Sequence, residues 1–383
     1  MTGLDILAAM PLDGDRHLVR VTNDDMRAMV DQRLRPKLTD EFVELYHKLL
    51  ASSRSRYFAD FAVDDTHSET YQQRYERYRR RTGELAVRCV RELLDRSGVD
   101  PRKIRAVVTN TTVGGMVPNL SSIVGNSLGL HPRARIVDLG YMGCAAALLG
   151  LELAGDLLRP GELGLVVSSE LTSVMANPLA DTAASLVANT VFGDGVGAFL
   201  VARRPHRHTP LLRIRGHAGS VLTDDEALST ITYEPNAVYH EIRLANTIPA
   251  VAGRGVRLVM EPLVRRHLTT TAQKARYLVD RQIPQWQRNV DFAVLHTAGS
   301  KVLRELTAAL ALRPEQVDHN FRAFDRYGNT SSASLYYALD ELLRGSGGPR
   351  PGQTLLFLGY GSGFFTRGSV MEVRDPAGTR ARA

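Results

Sequence analysis

Only one of the two cysteines in this 383-residue chain stands where a thiol can do chemistry. Cys144 follows Tyr141-Met-Gly and opens an uncharged run, Ala145–Leu151, that reads as a buried helix. The strand-like segment Arg135–Leu139 precedes it, which puts the thiol at a strand-to-helix junction. There it meets the positive end of a helix dipole and free backbone N–H groups, and both favour the thiolate. His296 ends the strand-like segment Val290–Leu295 and can take the thiol proton. Asn329 heads a second small-residue run, and its amide can donate a hydrogen bond to an oxyanion without adding charge. Together the three suit acyl transfer through a thioester. Cys89, between Arg88 and Val90 in the middle of a charged helix, reads as an inert core residue.

The elements that must hold these residues alternate. Ile104–Thr109, Arg135–Leu139, Leu163–Ser168 and Gly197–Val201 read as strands with helices between them, so an α/β layered protein is expected. An amphipathic helix is expected over Thr39–Ser52, with Phe42, Leu45 and Leu49 on its apolar face. Arg203–Pro210 breaks all periodicity and reads as a solvated linker, its His206 and His208 lacking a third metal ligand nearby. Beyond it the pattern repeats. Val290–His296 matches Ile104–Asn110 at an offset of 186 residues, and Asn329 matches Cys144 at an offset of 185. A shared offset of half the chain implies an internal duplication, with halves at 1–205 and 206–383. The two helix starts, at Cys144 and Asn329, then meet about a local twofold axis, and His296 reaches the same place.

Composition excludes several classes. Hydrophobic residues make up 44% of the chain and charged residues 23%, which suits a large globular core. Two cysteines cannot form a disulfide framework, and a reduced, cytoplasmic setting is expected. No apolar stretch is long enough to span a bilayer. The net charge of +7 is carried mostly by arginine and is densest at Arg74–Arg81. Tyr71, Tyr75 and Tyr78 fall at helical spacing there, continued by Leu85 and Val90. The arginines are therefore read as the solvated face of a helix over Glu69–Ser97, with no nucleic-acid partner.

Cys, His and Asn in this order also serve papain-like proteases, but Tyr-Met-Gly-Cys-Ala-Ala lacks their local signature. The motifs resemble instead the chalcone-synthase-like type III polyketide synthases of the thiolase-fold superfamily, from about residue 40 to 375. The matching segments are Gly143-Cys144-Ala-Ala, Phe192-Gly-Asp-Gly195, His296–Leu303, Tyr327–Ser334 and Gly359-Tyr-Gly-Ser-Gly363. The resemblance implies a thiolase fold, five αβαβα layers built from two pseudo-twofold-related halves, in a homodimer. It implies Cys144, His296 and Asn329 as the catalytic residues. It also implies acyl-CoA and malonyl-CoA as substrates for decarboxylative condensation, iterative and with cyclisation, with no metal or redox cofactor.

The resemblance places Phe192 and Leu258 as gatekeepers and Met175 and Ser331 on the pocket wall. The glycines of Gly359–Gly363 read as a loop of close backbone approach to a substrate or to the catalytic helices, with Gly359 and Gly361 as expected substrate contacts. An aliphatic gate and a Met wall imply an apolar cavity. The family's basic contacts to the CoA 3′-phosphate fall on Val43, Tyr46 and Leu50. Lys48, Arg54 and Arg56 are the nearby substitutes, or the donor is an acyl carrier protein. Two alternatives follow: a ketoacyl-ACP-synthase-III-like enzyme performing one condensation or acyl transfer, and a catalytically silent thiolase-fold partner that binds acyl chains.

Overall fold

The structure, a computed structural model, describes residues 3–50, 52–60, 69–177, 179, 182–235, 240–269 and 285–376. In chain order its strands are β1 (Leu4–Pro11), β2 (Val19–Thr22), β3 (Ser55–Phe58), β4 (Ile104–Thr111), β5 (Arg135–Gly140), β6 (Leu163–Glu170), β7 (Gly195–Arg203), β8 (Leu212–Val221), β9 (Ile231–Pro235), β10 (His240–Leu244), β11 (Phe292–Leu295), β12 (Thr354–Tyr360) and β13 (Phe365–Val373). Nine of them form one mixed sheet in the order β11-β12-β13-β8-β1-β7-β6-β4-β5. Two short antiparallel pairs, β2–β3 and β9–β10, stand apart.

The large sheet repeats itself. β4 runs parallel to β6, β6 antiparallel to β7, and β7 antiparallel to β1. β11, β12, β13 and β8 repeat that order and those directions. The halves join where β1 pairs β8 through only Asp5↔Arg213 and Ile6↔Leu212, so the sheet turns back on itself there. The helices Ala146–Leu157 and Ser334–Arg344 pack in the space between the half-sheets, the first on β4, β6 and β13, the second on β1, β7 and β11. Tyr71–Ser97 covers the outer face of one half and Ile248–His267 that of the other. Three apolar clusters correspond to the central layer and the two outer interfaces.

Sequence explains the central layer. Ala146–Leu157 carries almost no polar surface, so both of its faces can be buried. At Gly150 a Cβ would stand 2.7 Å from Val166 Cγ1, so helix and strand approach closely only because that residue is glycine.

Several expectations change. The outer helix begins at Tyr71, with Thr70 as its cap in a reciprocal box with Gln73. Tyr78, Leu85 and Val90 are buried as expected, and only the first turn departs. Tyr71 is 46% exposed, whereas Arg74 is buried and donates to the carbonyls of Val174 and Ala176. The helix Asp40–Leu50 buries Val43, Tyr46 and Leu50 and leaves Phe42, Leu45 and Leu49 half-buried. The segment after Arg203 is irregular and exposed at Pro205, Arg207, His208 and Thr209 as expected, but it is anchored. His206 and Arg204 close on the fully buried Asp5 at 3.1 and 3.3 Å, with Arg213 at 3.5 Å, and this cluster pins the crossover to β1. No helix among the described residues is long and apolar enough to cross a membrane.

Candidate active site

Cys144 lies in a single 3-10 turn, Gly143–Ala145, that leads directly into the buried helix Ala146–Leu157. Gly143 has φ +66, and a Cβ there would meet the Ser362 nitrogen at 2.6 Å. Gly359 and Gly361 lie under the same turn. A Cβ at 361 would stand 3.3 Å from the Cys144 nitrogen, and one at 359 would stand 3.3 Å from Ala145 Cα. The glycine loop thus supports the nucleophile turn from below.

The second helix start has the same form but a different register from that expected. Ser331–Ala333 is a 3-10 turn that leads into Ser334–Arg344. Ser331 has φ +51, the counterpart of Gly143, so Ser332 and not Asn329 matches Cys144. Asn329 does not follow a strand either. Pro314–Tyr327 before it is helical, and Asn329 forms a one-residue parallel bridge with Phe192. Its backbone donates to Val191 O at 2.8 Å and accepts from Gly193 N at 3.0 Å. Its side-chain oxygen accepts from Ser331 N at 2.9 Å, which fixes the amide and leaves Nδ2 as the donor end, 3.3 Å from Ala298 O.

His296 follows the last residue of β11, where its N–H donates to Leu358 O. Its Nδ1 stands 2.7 Å from Ser334 Oγ at the head of the buried helix, and its ring meets the Tyr360 ring edge-on at 5.1 Å. Cys144, His296, Asn329 and Phe192 all line one cavity of about 300 Å³. Ser331 Oγ donates to Cys144 Sγ at 3.4 Å and pairs with Thr112 Oγ1 at 2.9 Å. Behind them the buried Glu170 accepts from Thr112 N and Ser332 Oγ, with Thr112 Oγ1 3.2 Å away.

Burial governs the charges, and it reverses the expected direction at the thiol. It pushes Cys144 up to about 12, against the hydrogen bond from Ser331. It pushes His296 down to about 3 and Glu170 up to about 7. The resting pair is therefore a neutral thiol and a neutral imidazole.

The remaining sequence candidates scatter. Leu258 is 55% exposed on the helix Ile248–His267, and Met175 is buried in the outer core; neither lines the cavity. The apolar wall comes instead from the β9–β10 hairpin, through Ile231, Ile242 and Leu244, and from Val187 and Val191. Sequence reasoning missed this hairpin, whose alternating residues do not reveal which face is inward. Arg56 cannot hold a CoA phosphate. It is wholly buried, and its guanidinium donates to Thr190 O, Asn23 Oδ1 and Ser53 Oγ. Arg54 is exposed and paired with Asp325 at 3.1 Å, and Lys48 is exposed on its helix. Lys301, not singled out from the sequence, is the one Lys or Arg among the described lining residues.

Comparison with known proteins agrees with this geometry. Residues 17–282 match the family model of FAE1/type III polyketide synthase-like proteins, and residues 286–373 match that of the 3-oxoacyl-[acyl-carrier-protein] synthase III C-terminal region. The chain is 27% identical over 323 residues to 3-ketoacyl-CoA synthase 7 of Arabidopsis thaliana, covering 79% of this chain and 69% of that protein. Further plant ketoacyl-CoA synthases are spanned over 58–60% of their length. Polyketide synthase 37 of Dictyostelium discoideum is 25% identical over 345 residues, which cover 87% of this chain and 11% of that protein. Among solved structures, the C-terminal type III polyketide synthase domain of Steely1 from Dictyostelium superposes with a TM-score of 0.83 at 20% identity, covering 97% of this chain and 100% of that one. PKS-I of the brown alga Ectocarpus siliculosus gives 0.78 at 19% identity over 97% of each chain. The architecture is thus a thiolase fold. One family match runs through Cys144 and the other through His296 and Asn329, and the chain belongs to the FAE1/type III polyketide synthase-like family of condensing enzymes.

Proposed function

We propose that the protein loads an acyl group from a CoA thioester onto Cys144 and extends it with malonyl-CoA by repeated decarboxylative Claisen condensation. The convergence of a thiol, an imidazole and a fixed amide donor on one apolar cavity carries this reading. His296 takes the thiol proton as sulfur attacks the acyl carbonyl, and returns it to the departing CoA sulfur. Malonyl-CoA then places its thioester oxygen against His296 and Asn329 Nδ2. The bond to the carboxylate breaks, CO₂ leaves, and its electron pair enters the enolate those donors stabilise. The enolate carbon attacks the Cys144 thioester, and sulfur leaves as a thiolate. No step requires a metal or a redox cofactor.

The two half-reactions ask opposite things of His296. Loading needs a lone pair at Nε2, and decarboxylation needs an N–H there. A serine hydroxyl both donates and accepts, so Ser334 can support either tautomer through Nδ1. A carbonyl or carboxylate partner would fix one.

Purified protein incubated with a starter acyl-CoA and labelled malonyl-CoA tests the reading. Products carrying several two-carbon units support iteration, and a single unit supports the ketoacyl-synthase-III-like alternative, for which a malonyl carrier protein is the parallel arm. Intact-protein mass should show an acyl adduct that Cys144→Ala lacks; an adduct-free wild-type protein would instead be a silent acyl binder.

We also propose a homodimer through β5. That strand is one of the two edges of the sheet, with Ile136 43% exposed on it and Tyr141 48% exposed just past its end, and an edge of this kind suits pairing with a second copy. Sedimentation with Ile136→Lys tests it: the variant should be monomeric.

A further inference from the structure

The cavity around Cys144 is lined mainly by aliphatic side chains, yet two phenols belong to it. Tyr360 ends β12, is 2% exposed, and rests its ring against the His296 ring. Tyr233 lies on β9 at the hairpin wall, 6.2 Å ring to ring from Tyr141. The hydroxyls of both are shut off from solvent and find no hydrogen-bond partner among the described residues. Other buried tyrosines are satisfied: Tyr78 donates to Gly114 O, Tyr336 to Val166 O and Tyr337 to Leu12 O. Leaving two buried donors unpaired is costly unless something else supplies acceptors.

We propose that Tyr233 and Tyr360 donate hydrogen bonds to the acyl chain carried by Cys144, and that they select chains with an oxygen beyond the thioester, as a β-oxoacyl chain has. The inference rests on the acyl-loading reading above and deepens it: the site is built for an intermediate that has already been extended once. Burial and the nearby Cys144 sulfur hold both phenols well above their usual range, so both remain protonated donors at any working pH. A site built to pair a polar group rejects the analogue that lacks it.

The test compares butyryl-CoA with acetoacetyl-CoA, two chains of equal length that differ by one carbonyl. The rate of Cys144 acylation is read by intact-protein mass in wild-type, Tyr233→Phe and Tyr360→Phe proteins. Each Phe variant should lower the acetoacetyl rate about tenfold while the butyryl rate stays within about twofold. Rates that fall together, or do not fall, overturn the selection. Should one variant fail to fold, the other decides. A wild-type protein that butyryl-CoA and acetoacetyl-CoA both leave unmodified overturns the acyl-loading reading itself, and this one with it.

Discussion

Ser331 donates its hydroxyl to the Cys144 sulfur across 3.4 Å, while its own backbone sits at φ +51. One residue thus joins the two helix starts and carries the strain of the second. The left-handed region costs a residue with a Cβ about 1–2 kcal/mol. Ser331→Gly and Ser331→Ala both remove the hydroxyl, but only Gly relieves the strain. The Gly variant should be about 1 kcal/mol more stable than the Ala variant in urea unfolding. Both should slow acyl loading to a similar degree. The reverse order of stability would refute the strain.

Glu170 makes stability depend on pH in a defined direction. Burial raises its carboxyl from 4.5 to about 7, so the folded chain holds a proton that the unfolded chain releases between those values. Its contribution is fully present below pH 4.5 and is lost as pH rises towards 7. In that window unfolding free energy falls by up to ~1.4 kcal/mol per pH unit on account of this group. Glu170→Gln removes that fall. Urea unfolding at pH 5 and pH 7 should show the wild type losing ground against the variant; parallel curves would contradict it.

Asn329→Ala should separate the half-reactions. In the proposed mechanism loading uses Cys144 and His296, so the acyl adduct should still form. Malonyl-CoA decarboxylation loses a fixed oxyanion donor and should slow by ~10² or more. Loss of loading in a folded Asn329→Ala protein would show that the roles are divided differently.

Two basic residues should behave in opposite ways. Arg56→Met leaves Thr190 O, Asn23 Oδ1 and Ser53 Oγ without their buried partner and should cost about 3 kcal/mol of stability, with KM for acyl-CoA unchanged. Lys301→Glu, on a side chain 71% exposed at the cavity lining, should raise KM for acyl-CoA at constant stability. An N-acetylcysteamine thioester, which lacks the phosphates, should be used equally well by Lys301→Glu and the wild type. A similar loss with both thioesters would remove Lys301 from phosphate recognition.

The three residues that meet in the cavity were legible because the chemistry proposed for them needs special surroundings. A thiol before an uncharged helix, a histidine at a strand end and an asparagine before a small-residue run each leave a local mark, and the offset near 185 residues linked them. The register between the helix starts was not legible. It depends on which residue takes a positive φ, and Gly143 shows this by its type whereas Ser331 does not. Arg56 misled because charge suggests exposure, and only tertiary packing supplies its three acceptors. The position of the inward face also escaped on the helix Asp40–Leu50. There Val43, Tyr46 and Leu50 are equally spaced with Phe42, Leu45 and Leu49, and the fold buries the first set.

Phe192 and Asn329 are bridged backbone to backbone, with Val191 and Gly193 bonded to Asn329 on either side. Two residues that line the cavity, one of them the amide proposed as the oxyanion donor, therefore move as one piece. A change that shifts the cavity wall through the backbone at 192 also displaces the amide at 329. Substrate range and turnover are thus not independent traits in this chain. A lineage that reshapes this wall at Phe192 must do so by side-chain exchange alone, or re-aim the amide in the same step.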